Sequence, residues 1–481
     1  MSARSILQEW GPRIGTAAFI ALAWLVAASR AVPYRDGDRG VFASVAERLV
    51  AGDRLYVDVW DNKEPLFYWT LSMGRTISPV MDVVLELLWL LAGSYAVFVI
   101  ARAFGNSVLL SVSTGFAATP LILTGSSYYA GFTHLPGTVL VLASFALLVR
   151  GHLLAAGLLL PVIAGFKILA LPVVFAVLIV YALRHRSLRW LRYGLGAVTS
   201  LATLTALLTV RGELFGFLTL IRTNISYSQS DLADAYAIPI WSHVEPVMQG
   251  ATVALLATTI LVVAITRSQV IDESRDLWWT VLATLIAGLL VVAVTGLWPH
   301  HGQILFTSAA LAAVLLTTAL PTFRPASLTA LVGVIAAAVL LAGAPSLREA
   351  ADDILSAPTR LADLSRTADA TVSLKQVALA GSTYARLGKN TDDSHARGLR
   401  NMDLVCYQFL QYPYDPPANL SRIPDCLPTA DFVIVDPTFA TEPGQVVWND
   451  FVEQASHVLR QDFQCLSEPW GRLCSRRHSG E

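Results

Sequence analysis

Long apolar runs recur through the first 345 residues, at 14–31, 83–101, 107–124, 134–149, 153–183, 194–210, 248–266, 277–296, 303–320 and 326–344. A helix crossing the hydrocarbon core needs roughly 20 apolar residues, so most runs match one crossing each. The run 153–183 is too long for one and is interrupted by Pro161, Gly165, Lys167 and Pro172. Two short helices meeting near Lys167 are expected there, because proline removes a backbone donor and clashes with the preceding turn. That brings the expected count to about eleven spans. With 54% hydrophobic and only 14% charged residues, the chain is too apolar for an ordinary soluble domain. Its basic residues sit in short clusters between the runs, a pattern that encodes topology and gives no footing for nucleic acid. The first run follows Arg4 and Arg13 and reads as an uncleaved first span.

The positive-inside rule places Arg4 with Arg13, Arg102, Arg150, the Arg184–Arg189 cluster, Arg267 with Arg275, and Arg324 on the cytoplasmic side of a cell's inner (plasma) membrane. The segments 32–82, 125–133 and 211–247, the Trp298-Pro299-His300-His301 corner and everything after Gly343 then fall on the outer side. Residues 346–481 change character, with strand-like runs at 377–380 and at 432–435. They read as a small soluble extracytoplasmic α/β domain behind a mainly α, polytopic bundle at 1–345. All four cysteines, Cys406, Cys426, Cys465 and Cys474, lie in this tail. An even number in an exported segment suggests disulfides, most simply 406–426 and 465–474, with three connectivities open. A metal site is the weaker alternative, as no Cys-x-x-Cys spacing is present.

Charge before the tail is densest between Tyr34 and Trp69, where Asp36, Asp38, Glu47, Asp53, Asp58, Asp61 and Glu64 stand among Arg35, Arg39, Arg48, Arg54 and Lys63. Phe42, Val45, Ala46 and Leu49 have helical spacing, so a surface helix over 40–51 is expected. Asp38 is then either its N-cap, with Asp36 a turn residue, or one of the two is a general base at a cavity mouth. Tyr56, Trp60, Phe67, Tyr68 and Trp69 suit an interfacial aromatic belt. The chain has four lysines against thirty arginines, and Lys63 and Lys167 lie beside or inside apolar runs. Lys63 either snorkels or meets an anion. For Lys167, between Gly165-Phe166 and Ile168-Leu169, an anionic head group is the sharper reading.

The ordered run Asp38-Arg39-Gly40-Val41-Phe42, Ala46-Glu47-Arg48-Leu49, Gly52 and Leu55-Tyr56-Val57-Asp58-Val59-Trp60-Asp61-Asn62-Lys63-Glu64-Pro65-Leu66-Phe67-Tyr68-Trp69 resembles a known loop. It is similar to the first outer loop of bacterial GT-C glycosyltransferases, in the branch related to protein O-mannosyltransferases and the lipid A aminoarabinose transferase. The resemblance implies a polyprenyl-phosphate-linked sugar donor and a glycan, lipid or protein acceptor, and leaves open whether the sugar is arabinose, mannose or another. It also implies displacement with inversion at the anomeric carbon. Asp38 would be the general base and Lys63 would face the donor phosphate. Asp58 and Asp61 are carried along with the matched run as substrate-binding candidates. Gly165-Phe166-Lys167 and the corner Trp298-Pro299-His300-His301-Gly302-Gln303 resemble two further patches of the family; His300 and His301 are candidates for a cavity rim, with an interfacial turn as the alternative. The chain departs from the family where Arg39 replaces a glutamate, and where His134 stands in place of an acid at the start of the fourth span. Asp36-Gly37-Asp38 has the D-x-D spacing of a divalent-cation site, although Arg35 and Arg39 offer neutralisation instead. Polar and aromatic residues of 211–247, Glu213 among them, suit acceptor contacts or a solvated loop equally.

Two other functional classes compete. A transporter or flippase of lipid-linked sugars also carries polar groups in its helices, but usually in paired halves. A membrane-anchored binding protein, with the tail as receptor, leaves the charged first loop without a purpose.

Overall fold

The computed structural model describes residues 3–31, 37–124, 133–185, 189–235, 270–295, 299–319, 351–352, 354–359, 382–388, 403–406, 420–441, 446–468 and 471–477. The expected spans 248–266 and 326–344 and the expected strand at 377–380 lie outside these residues. The described chain is mostly helical (76%), with one small sheet. Among the described residues three helices are long and apolar enough to cross a membrane: α4 (Met81–Ala103), α10 (Trp190–Val210) and the 275–294 part of the helix Val270–Val294. Shorter apolar helices accompany them: part of α1 (Ala3–Ala31), α7 (His134–Val149), α8 (Leu153–Phe166), α9 (Leu171–Arg184) and the segment Gly302–Thr318.

The run 107–124 folds as α5 (Val108–Ser113), a π-helical turn Thr114–Ala118, and α6 (Thr119–Leu123). Pro120 explains the irregularity, because it has no N–H to give to the carbonyl of Phe116 four residues earlier. That carbonyl accepts instead from Trp24 Nε1 of α1 (3.0 Å). A defect in one helix thus becomes its bond to another, and no buried acceptor is left over.

The expected break in 153–183 is present. α8 ends at Phe166, Lys167 is extended (φ −161°, ψ 101°), and a 3-10 turn over Ile168–Ala170 leads into α9, with Pro172 in its first turn. α8 lies against α10 backbone to backbone: Gly157 faces the Tyr193 carbonyl and Gly196 the Leu154 carbonyl, and a Cβ at either would collide. Small residues at a crossing permit this close approach. At the opposite end of α9, Arg184 donates to Asp276 (2.6 Å), tying it to the helix Val270–Val294.

The region 211–247, expected as a loop, is largely helix: α11 spans Leu214–Ala235. Its first turns carry Leu214, Phe215, Phe217, Leu218, Leu220 and Ile221, an apolar content that the polar residues around it mask. Leu220 is buried in the main core with Tyr56, Ile163, Val281 and Leu311.

The tail holds a five-stranded sheet of order β2-β1-β3-β5-β4: β1 (Thr383–Leu387) is parallel to β2 (Asp403–Leu404) and β3 (Phe432–Val435), while β5 (Gly471–Arg476) is antiparallel to β3 and to β4 (Phe463–Glu468). The helix Val446–Asp462 buries Trp448, Phe451, Val452, Ala455 and Leu459 in a core shared with Val433, Val435 and Phe463. Cys465 and Cys474 face each other across the β4–β5 ladder and are joined, as are Cys406 and Cys426.

Candidate active site

α2 spans Gly37–Val50, so it begins three residues before the expected start at 40. Asp38 is therefore in the first helical turn and is not its cap. An acid there is favoured by the unpaired N–H groups and dipole of the helix end. Asp36 lies outside the described residues, as do the side chains of Asp38, Arg39, His300 and His301.

The apolar face of α2 locks onto α3 (Pro65–Arg75). Phe42 meets Phe67 edge-on with centroids 5.1 Å apart, and Tyr68 at 6.2 Å. Arg75, at the end of α3 and 5% exposed, donates to Glu47 of α2 (2.6 Å) and to Asp82 of α4 (3.1 Å). The segment that carries Asp38 is thereby braced against a long membrane-type helix at its far end.

Between α2 and α3 the chain makes a tight loop. Asp58 accepts from both the Arg54 backbone N–H (2.9 Å) and Arg54 Nε (2.9 Å), and the hydrogen bond from the guanidinium holds its carboxyl below the usual aspartate range. Asp58, a candidate substrate ligand from the resemblance, therefore has its carboxylate engaged in closing the loop. Tyr56 sits in the left-handed region (φ 64°), which is uncommon outside glycine. Its ring is buried and its hydroxyl donates to the Lys63 carbonyl (2.6 Å), which holds the strained residue in place.

Three carboxylates line the underside of this loop, Asp61, Glu64 and Glu213, none more than 2% exposed. Asp61 receives the Tyr68 hydroxyl and the Asn62 N–H. Glu213, in the turn between α10 and α11, accepts from Leu55 N–H (3.1 Å), Trp69 Nε1 (3.1 Å) and Arg211 Nε (2.9 Å). Burial pushes its carboxyl above the ordinary glutamate value, against the lowering by Arg211. Arg211 also lies over the Trp69 ring (5.2 Å). Glu64 accepts the Ile168 N–H (2.9 Å), the donor released by the helix break.

Lys63 stands at the edge of this acidic floor. Its ammonium donates to the Asn62 side-chain oxygen and lies 5.7 Å from the Phe42 ring centre. Among the described residues no carboxylate pairs with it. Lys167 is 7% exposed, and His134, 2% exposed, opens α7. One turn after His134, Gly137 faces the Lys167 side chain, and Thr138 donates to the Gln303 carbonyl (3.5 Å). That carbonyl belongs to the 3-10 segment Pro299–Leu305, which includes His300 and His301. Patches far apart in sequence, around residues 63, 134, 167 and 300, are thus linked through successive contacts.

No protein-family model matches the chain, and no curated protein does.

Sequence reasoning gave no site role to Glu64 or Glu86, and it counted Glu213 only among residues suited equally to acceptor contacts or a solvated loop. Glu86 is 1% exposed within α4 and lines a small cavity with Phe67, Thr70, Trp89, Leu135 and Phe166. Its signal was present in the sequence, since a lone acid inside an apolar run is costly and marks a functional candidate. The partners of Glu64 and Glu213 had no local signal, because they lie more than a hundred positions away in the sequence. Among the described residues no group of three or more His, Cys, Asp or Glu side chains is disposed to share a metal ion.

Proposed function

We propose that the chain is an integral-membrane glycosyltransferase of the GT-C kind, acting on the outer face of the membrane. The observation that carries this reading is Lys63, a half-buried ammonium without a carboxylate partner among the described residues, beside a helix broken at a second lysine. A cation left unpaired at an apolar boundary is arranged for an anion that comes and goes. The phosphate of a polyprenyl-phosphate sugar fits that place, its lipid tail matching the apolar surroundings. An acceptor hydroxyl attacks the anomeric carbon, the bond from that carbon to the phosphate oxygen breaks with its electron pair leaving on phosphate, and Asp38 takes the hydroxyl proton. Lys63 and Lys167 stabilise the departing charge, an effect that is strong where water is scarce. Arg4 and Arg13 before the first apolar run support a cytoplasmic start, which puts α2 on the outer side in this reading. The two disulfides support the same side for the tail, which would hold the acceptor glycan, lipid or protein. The Asp36-x-Asp38 pair leaves a divalent cation as a further participant to test.

The broken helix is also a feature of transporters. Radiolabelled polyprenyl-phosphate sugars, offered to membranes carrying wild type, Asp38→Asn, Asp36→Asn or Lys63→Ala, separate the readings. Transfer should fall by about 100-fold or more in Asp38→Asn, the usual scale for loss of a general base. Asp36→Asn should retain most activity. A wild type that moves the lipid-linked sugar across the bilayer without transferring it would make the protein a transporter.

A further inference from the structure

Lys63 and Lys167 each immediately precede one end of a single hydrogen bond, from Ile168 N–H to Glu64 Oε1 (2.9 Å). In an unbroken helix the Ile168 N–H would bond to the carbonyl of Ala164; the extended Lys167 prevents this and leaves a buried donor to be satisfied. Glu64 reaches across from the outer loop and supplies the acceptor. The residues around the bond are fitted to it. Leu66 packs onto Gly165, where a Cβ would approach the Leu66 side chain to 2.6 Å, and Gly137 admits Lys167 from α7, where a Cβ would come within 2.9 Å. The K-E-P-L and G-F-K-I patches of the sequence therefore dock on each other as a unit.

The chemistry of the clasp is costly. Glu64 is 2% exposed, and its second oxygen, Oε2, is buried with no hydrogen-bond donor among the described residues. A buried carboxylate with half its acceptors unmet is kept only where an apolar side chain could not serve. We propose that Glu64 is a positioning residue: by clasping the Ile168 N–H it holds the first outer loop against the helix break, so that Lys63 and Lys167 serve one lipid-linked phosphate. This rests on the glycosyltransferase reading and adds to it a residue that touches neither sugar nor phosphate.

The test uses the full chain in lipid nanodiscs, with direct binding of radiolabelled polyprenyl phosphate and, in parallel, donor KM and kcat. Glu64→Ala and Ile168→Pro each break the clasp from one side. Proline suits position 168 because Lys167 already has the extended backbone that precedes proline. Each should weaken lipid-phosphate binding about tenfold, the scale of one buried hydrogen bond, and raise donor KM in step with a smaller change in kcat. The double variant should bind no worse than the weaker single one, since both remove the same contact. Glu64→Gln keeps an oxygen acceptor and should stay within about threefold of wild type. Losses that multiply in the double variant, or Glu64→Ala binding like wild type, would overturn the clasp while leaving the enzyme reading intact. A wild type that binds no polyprenyl phosphate would sink both. If Glu64→Ala fails to accumulate, Ile168→Pro and Glu64→Gln decide the matter, with unchanged binding in Ile168→Pro counting against the proposal.

Discussion

The segment 37–82 and the tail sheet are both built around buried side chains, but they bury different things. The tail core is largely apolar, with Trp448, Phe451, Val433, Val435 and Phe463 packed under one helix, and two disulfides secure its edges. The segment 37–82 buries Asp61, Glu64 and Glu213 beneath a strained loop and holds them with individually placed donors. Apolar burial is tolerant, since its worth scales with area and survives modest repacking. Buried charge is unforgiving, because each group must keep its partners. Among the described residues the tail buries one charged side chain, Arg386, whereas this segment gathers three carboxylates, and that concentration indicates where geometry matters more than stability.

Substitution puts the contrast to its hardest test at Glu213. Replacing it by leucine strands the Leu55 N–H and the Trp69 indole N–H, and thermal unfolding in detergent should register a loss of about 3 kcal/mol or more. A loss no larger than that of a surface change would mean the polar floor is incidental. The tail should respond more mildly and separately. Converting Cys465 and Cys474 together to serine opens a short loop, and chain-entropy arguments put the cost at about 2–3 kcal/mol. Sugar transfer by molecules that remain folded should persist; if it vanishes, the two regions are coupled.

The smallest expected effect has a sign that differs between two acids in and around the loop between α2 and α3. Burial raises the Glu213 carboxyl above its ordinary value, so the folded protein holds that proton more tightly than the unfolded chain. Its contribution to stability is complete below about pH 4 and is lost as pH rises through the raised value. The hydrogen bond from Arg54 depresses Asp58, whose contribution is present above the ordinary aspartate value and lost as pH falls. Stability compared across pH should therefore move in favour of Glu213→Gln, relative to wild type, as pH rises, and in favour of wild type relative to Asp58→Asn. Parallel curves would show that neither carboxyl differs between folded and unfolded states.

What could be read from the chain in advance was local. The break at Lys167 followed from Pro161, Gly165 and Pro172 within a dozen residues, and the strand at 432–435 from four consecutive apolar residues. α11 is a helix where a loop was expected, because its polar side chains mask the apolar content of its first turns. Asp58 looked like a ligand in the matched run, and only the fold shows its carboxylate closed onto Arg54.

The sequence by itself determined that the chain is rich in membrane-length apolar segments, that one of them breaks at a lysine, and that an acidic and aromatic segment lies after the first. Those are properties of composition and short-range backbone chemistry. Only the tertiary structure decided that Glu64 meets Ile168 across 104 positions, that Glu213 meets Leu55 across 158, and that Trp24 serves the carbonyl released by Pro120 across 92. A buried polar group must find a partner, but which partner is a matter of how helices far apart in the chain come to lie together.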